Sequence, residues 1–332
     1  MTNEKSQKVV EKKNAEKRYG KGIKYETYKV TNTLILITII IGIFLIPLQL
    51  FFEGFMKNIE DPFIINVQAA LPENCLVGVC NTLLSFPDTL FDPFYTPLMM
   101  IVWYLCADSL IAFKGCLVTC IGMYMLAFLN IIYKDGRPFW NSQYIKSGNH
   151  CKFGFTSPSE TSFVAFFFLT YMLVQVRYKY AAETNSTINA LLVALVVLLN
   201  ILTYVTGLIN GLTYIYQNVM GTLTAFVYLI LCLTFDKEIH RWCEKAGFIL
   251  QSSRLRKFQT FFGCLIAFTA FSLYFMAVND EWTIPQNWII NASFNNEICA
   301  VRFNQRADNK LGTNQTYDET GILFFLIGMV FG

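Results

Sequence analysis

Apolar residues run through this chain in long blocks separated by polar stretches. Seven blocks approach the roughly 20 apolar residues that cross a bilayer core of about 30 Å. They lie at about 32–52, 94–113, 115–133, 162–176, 187–209, 212–235 and 258–278. The block 162–176 is short and extends through Tyr180 if Arg177 and Lys179 snorkel to water. An eighth block, 321–332, is too short to span by itself and is read as part of a helix or as a segment that dips into the membrane. The first block follows the polar segment 1–31 and is long enough to span, so it does not read as a cleavable signal peptide. There is no repeat, heptad run or low-complexity tract. The pattern predicts an all-α fold, a polytopic membrane helix bundle.

Composition agrees with that pattern. Hydrophobic residues make up 54% of the 332 residues and charged residues 15%, too apolar for an ordinary soluble domain. Membrane lipids and membrane-protein partners are the expected contacts. No feature indicates nucleic acid, a metal or a cofactor. The chain divides into a basic tail (1–31), a first membrane helix with an outer loop (32–93), a membrane domain (94–235), and a segment 236–332 with one further helix, an outer loop and the incomplete last block.

Alternating spans put residues 1–31, Lys114, 177–186 and 236–257 on one side, with 18 Lys/Arg and 8 Asp/Glu. Residues 53–93, 134–161, 210–211 and 279–320 fall on the other, with 8 Lys/Arg and 14 Asp/Glu. The excess of basic residues beside the N-terminus predicts a cytosolic N-terminus. Endoplasmic reticulum, other endomembranes and plasma membrane all fit. The glycosylation acceptors Asn291 and Asn314 then face the outer or lumenal side, whereas Asn185 faces the cytosol. Cys75, Cys80, Cys151 and Cys299 also fall in outer loops, where disulfides form, with the pairing open. The other cysteines lie in or beside membrane helices, where apolar packing suffices.

Three fragments carry candidate chemistry: Asn130 to Pro138, Pro158 to Thr161, and Thr206 to Gln217. Each falls at the end of an apolar block, and all fall on the same side. Helix N-termini offer free N–H groups and a positive dipole end to an anion. Arg137, Lys134 and Ser159 are the candidate anion-binding residues, with Arg137 able to grip phosphate oxygens bidentately. Asp135, in Lys-Asp-Gly, reads first as a turn residue and second as a partner for Lys134. His150 is a loop histidine eleven residues before Thr161 and reads as solvated. Asp108 is an intramembrane acid near the cytosolic end of its block.

The order and spacing of these fragments resemble the type-2 phosphatidic acid phosphatase superfamily, which includes glucose-6-phosphatase and the vanadium haloperoxidases. The family pattern runs K-x6-R-P, then P-S-G-H, then S-R-x5-H-x3-D. The resemblance covers about 95–235 and implies a six-helix phosphatase-like core. Arg137 and Pro138 match the first motif, but Asn130 stands where the family has Lys. Lys134 lies one turn on, and would restore that charge if the helix continued. Pro158 and Ser159 match the second motif, with Glu160 for Gly and Thr161 for the His that the family uses as general acid. In the third, Thr206 and Gly207 replace Ser and Arg. Thr213 replaces the nucleophilic His, and Gln217 the Asp that orients it. Gly221 keeps the spacing that follows that Asp.

These replacements change the expected chemistry. A threonine hydroxyl is a weak nucleophile unless a base activates it, and a glutamine cannot be that base. Losing a positioned acid–base group alone costs about 10²–10⁴ in rate. Glu160 adds an anion beside a pocket that should receive a dianion. The expectation is therefore a catalytically silent superfamily relative that binds lipid or serves in membrane-complex assembly. An active phosphate-ester phosphatase with a divergent site, and a transporter or channel subunit, are the competing readings.

Overall fold

The computed structural model describes residues 30–71, 109–147, 154–179, 186–249 and 285–295, together with Lys152 and a few positions between 86 and 105. Residues 1–29, Cys75, Cys80, Asp108, His150, Cys151, Asn185, Cys299, Asn314 and the blocks 258–278 and 321–332 lie outside the described residues. Among the described residues every element is a helix: α1 (Asn32–Ala70), α2 (Ser109–Tyr133), α3 (Pro138–Asn141), α4 (Glu160–Lys179), α5 (Ser186–Ile209), α6 (Ile215–Thr234), α7 (Asp236–Ile249) and α8 (Gln286–Asn295).

Three helical stretches are long and apolar enough to cross a membrane: Leu110–Asn141, which takes in α2 and α3, Ser186–Ile209, and Ile215–Thr234. The two halves of α1, Asn32–Leu45 and Pro47–Ala70, meet at a 55° bend and together make a fourth candidate. Pro47 supplies no N–H and its ring clashes with the carbonyl one turn earlier, which accounts for the bend. These helices are consistent with a chain that crosses a membrane.

Three expectations about helix limits change. The first helix does not end near residue 52 but continues to Ala70. Residues 53–70 carry Glu53, Lys57, Glu60 and Asp61 among apolar positions, which looks like loop in a hydropathy reading, yet they fold as helix against the bundle. Lys114 is no loop residue between two spans. It lies inside α2 with 0% exposure. Its ammonium sits 2.8 Å from Asp236 Oδ1 and donates to Gln175 Oε1, also at 2.8 Å. Gln175 and Tyr171 donate to the same Asp236 oxygen. That partner, 122 positions away, is what lets a lysine stay in the helix. Finally, α2 stops at Tyr133. Lys134 takes the left-handed conformation (φ 52°) while its N–H still bonds Asn130 O, a helix-terminating geometry. Lys134 thus closes the last turn after Asn130, but in a left-handed backbone that ends the helix.

The contacts fix the topology. Lys114, Gln175 and Asp236 bring the start of α2, the end of α4 and the start of α7 to one end of the bundle. The end of α2, the starts of α4 and α6 and the end of α5 meet at the other. The central helix is α4, packed on α2, α5 and α6. Its Phe163, Phe167 and Tyr171 form a stacked ladder, which Tyr228 of α6 closes. At the far end a second cluster of Phe139, Trp140, Tyr214, Tyr216 and Trp288 roofs the bundle. Cys116, Cys120, Cys232 and Cys243 are buried free thiols.

Candidate functional site

The three fragments meet at the roofed end. Arg137 is the N-cap of α3, whose Pro138 occupies the first helical turn, where a missing N–H does no harm. The guanidinium turns inward. Its Nε donates to Gly154 O (3.0 Å) and its Nη1 to Leu212 O (3.2 Å), and it lies over the Trp140 ring. Arg137 therefore ties the segment before α4 and the α5–α6 turn to the end of α2. Phe139 N adds a bond to Gly211 O.

Gln217 sits at the centre with 0% exposure, on the first turn of α6. Its Oε1 accepts from Thr156 Oγ1 (2.7 Å) and from the backbone N–H of Tyr214 (3.0 Å), the return half of a capping box. Its Nε2 donates to Asp135 Oδ2 (2.9 Å) and Gly136 O (3.0 Å). An aspartate here could accept the first pair of bonds but could not make the second. The position is built for an amide.

Asp135 is not a simple turn residue. Its carboxylate, 1% exposed, receives Gln217, the Tyr216 hydroxyl (2.5 Å) and the Lys57 ammonium (2.7 Å). Lys57 comes from α1. From the same helix, Glu60 accepts the backbone N–H groups of Ile215 (2.6 Å) and Tyr216 (3.2 Å). These are orphan donors at the N-terminus of α6, the kind of group that would otherwise greet an anion. Asp61 accepts from the Tyr214 hydroxyl at 2.7 Å. Gln49 donates to Ser157, and Gln68 to Ile209 O. Residues 53–70 lie beyond the apolar span 32–52, and burial, the largest influence, pushes the Glu60 carboxyl up to about 7. Its two backbone bonds oppose that rise, and Asp61 and Asp135 add to it. Burial likewise raises Asp61, against the pull of Tyr214 and Lys57.

The remaining candidate positions are inside the bundle but bonded elsewhere. Thr213, 4% exposed, accepts from Asn218 Nδ2 at 3.0 Å, and Asn218 accepts from Ser162 at 2.8 Å. Thr206 donates back to Thr203 O in its own helix. Thr161 lies 3.4 Å from Ser159 on the first turn of α4, with Glu160 beside it. Asn130 is buried in the last turns of α2, and Pro158 and Ser159 are buried before α4. Two glycines record close approaches. A Cβ on Gly221 would collide with the Ser159 carbonyl, so α6 crosses the start of α4 at backbone contact. A Cβ on Gly207 would collide with Thr213 Oγ1.

Asn291 bears on glycosylation. It lies on α8, and its Nδ2, the atom a glycan would modify, donates to Trp140 O and Asn141 O, both at 3.0 Å. α8 is pinned by these bonds and by the Trp140–Trp288 ring contact to the short helix that follows Arg137. Among the described residues no group of His, Cys, Asp and Glu is placed to hold a metal ion.

Lys57, Glu60, Asp61 and Gln68 escaped the sequence reading because they lie far from every motif. One signal was present. Lys57, Glu60, Asp61 and Gln68 share a helical face. Their polar character would have flagged that face had 53–70 been taken as helix. Comparison of the chain with protein-family models, curated proteins and solved structures finds no match.

Proposed function

We propose that this protein is a catalytically silent relative of the type-2 phosphatidic acid phosphatases, an integral membrane bundle that serves lipid binding or membrane-complex assembly. One observation carries the proposal: Asp135 and the first N–H groups of α6 are bonded by the chain itself. Asp135 takes up Lys57, Tyr216 and Gln217, and Glu60 takes up the N–H groups of α6. Two internal carboxylates thus stand among donors that would serve a phosphate. At about 4 Å and an effective dielectric near 20, a further unit of negative charge beside the Asp135 carboxylate would cost on the order of 4 kcal/mol.

Thr213 and Thr161 do not supply acid–base machinery either. The partner of Thr213 is the Asn218 amide, which cannot take its proton. Thr161 has no useful acidity near neutral pH. The cluster instead resembles a polar core that fixes the ends of α1, α2, α4 and α6 in one arrangement, which suits a lipid-facing or assembly platform. The test is phosphate release by purified protein from lipid and sugar phosphate monoesters. The proposal expects no turnover above the Arg137→Ala variant. Robust release that Arg137→Ala abolishes would overturn it.

A further inference from the structure

α8 is too short to stand by itself. Isolated helices under about 12–15 residues are marginal in water, and Gln286–Asn295 has ten. Docking on the bundle is what holds it. Trp288, Asn291 and Ala292, spaced three and four apart, share the face turned to the roofed end, while Gln286, Asn287 and Ile290 are exposed. Ala292 is fully buried. Trp288 lies 5.4 Å from the Trp140 ring and directly over Gly136, where a Cβ would stand 2.6 Å from the indole. Glycine at 136 makes room for that ring.

Asn291 closes the contact. The last carbonyls of a helix have no partner within it. Trp140 O and Asn141 O stand in that position at the end of α3, and Asn291 Nδ2 donates to both at 3.0 Å. An amide nitrogen carries two hydrogens, so both are committed. The same nitrogen is the acceptor atom of the sequon Asn291-Ala292-Ser293. N-glycosylation bonds Nδ2 to the anomeric carbon of an oligosaccharide, expels its polyprenyl pyrophosphate carrier and removes one of those hydrogens as a proton. The sugar would then have to stand where an α3 carbonyl already is.

We infer that α8 is a detachable cover on the Arg137 end of the bundle, that the Asn291 amide is its clasp, and that glycosylation of Asn291 and docking of α8 exclude one another. A docked chain hides the acceptor nitrogen, and a chain modified there keeps α8 off the bundle. Release uncovers Trp140, whose ring lies beside the Arg137 guanidinium, and Gly136, whose carbonyl accepts from Gln217. The cover therefore bears directly on the polar cluster beneath it.

Hydrogen–deuterium exchange of the full, unglycosylated chain in detergent reads the cover through the backbone amides of residues 290–295. Asn291→Asp replaces the donor with an acceptor facing two carbonyls and should speed their exchange at least about ten-fold. Gly136→Ala acts from the bundle side. It keeps Asn291, crowds Trp288 and should speed the same amides. In both variants the ladder of Phe163, Phe167 and Tyr228 should keep its protection, which shows that the bundle stays folded. Exchange at 290–295 within about two-fold of the parent in either variant would overturn the inference. So would loss of the ladder together with α8, since the helix would then be integral to the fold, and so would a chain glycosylated at Asn291 whose α8 is as protected as the unmodified one.

Discussion

Placing a carboxylate at position 217 should damage this protein. In Gln217→Glu an oxygen takes the place of Nε2, which lies 2.9 Å from Asp135 Oδ2. Two carboxylates at about 3 Å and an effective dielectric near 20 repel by roughly 5 kcal/mol. The pair can escape by binding a proton. Holding a glutamate neutral at pH 7 from an ordinary value near 4.3 costs about 4 kcal/mol, which caps the loss. Lys57 offsets part of that, leaving about 3 kcal/mol at pH 7.5. Near pH 5 the cost of the shared proton falls to about 1 kcal/mol. For a chain of 332 residues these losses correspond to roughly 4 °C and 1–2 °C in Tm. Thermal unfolding of the detergent-purified protein, followed by tryptophan fluorescence, reads both. Gln217→Met separates the lost hydrogen bonds from the charge, because its loss should not depend on pH. A Gln217→Glu variant as stable as the parent at pH 7.5, or one whose loss does not shrink in acid, would refute the reasoning.

Three further outcomes follow from the same geometry. Lys114→Met strands the buried Asp236 carboxylate and should cost about 3–5 kcal/mol, whereas the double variant Lys114→Met/Asp236→Leu should recover most of that, as read by Tm or by the monodisperse fraction in size-exclusion chromatography. Gly221→Ala drives a methyl group into the Ser159 carbonyl and should cost about 1–3 kcal/mol in the same assay, with no loss expected only if α6 and α4 can part. The raised Glu60 carboxyl means that the folded state holds its proton more tightly than the unfolded chain does, so its contribution is full below about 4.5 and lost as pH rises through about 7. The Tm of Glu60→Gln relative to the parent should therefore climb between pH 5 and pH 8 and then level, and a difference that is flat or falls with pH would contradict the assignment.

The apolar pattern was enough to reveal an all-helical bundle, because a segment such as 187–209 has no other way to satisfy its backbone. It misplaced Lys114 for a definite reason. A charge inside an apolar block reads as a turn when its neutralising partner, Asp236, lies in a distant helix. It misread 53–70 because that segment turns Lys57, Glu60 and Asp61 toward the bundle and leaves Phe55, Ile59 and Phe63 outward, the reverse of a soluble helix. At the candidate site, the motif positions could be named from spacing, and the structure brings Arg137, Ser159, Thr161, Thr213 and Gln217 to one end of the bundle. The bonding could not be named. No spacing rule tells that Asp135 faces Lys57 of α1, or that Gly207 and Thr213 touch.

Phosphate release from phosphatidic acid and related monoesters by the purified, reconstituted protein tests the central claim most directly. The account predicts a rate no higher than that of Arg137→Ala across pH 5 to 8. Turnover well above that background, lost in Arg137→Ala and Thr213→Val, would show that the roofed end is a working active site.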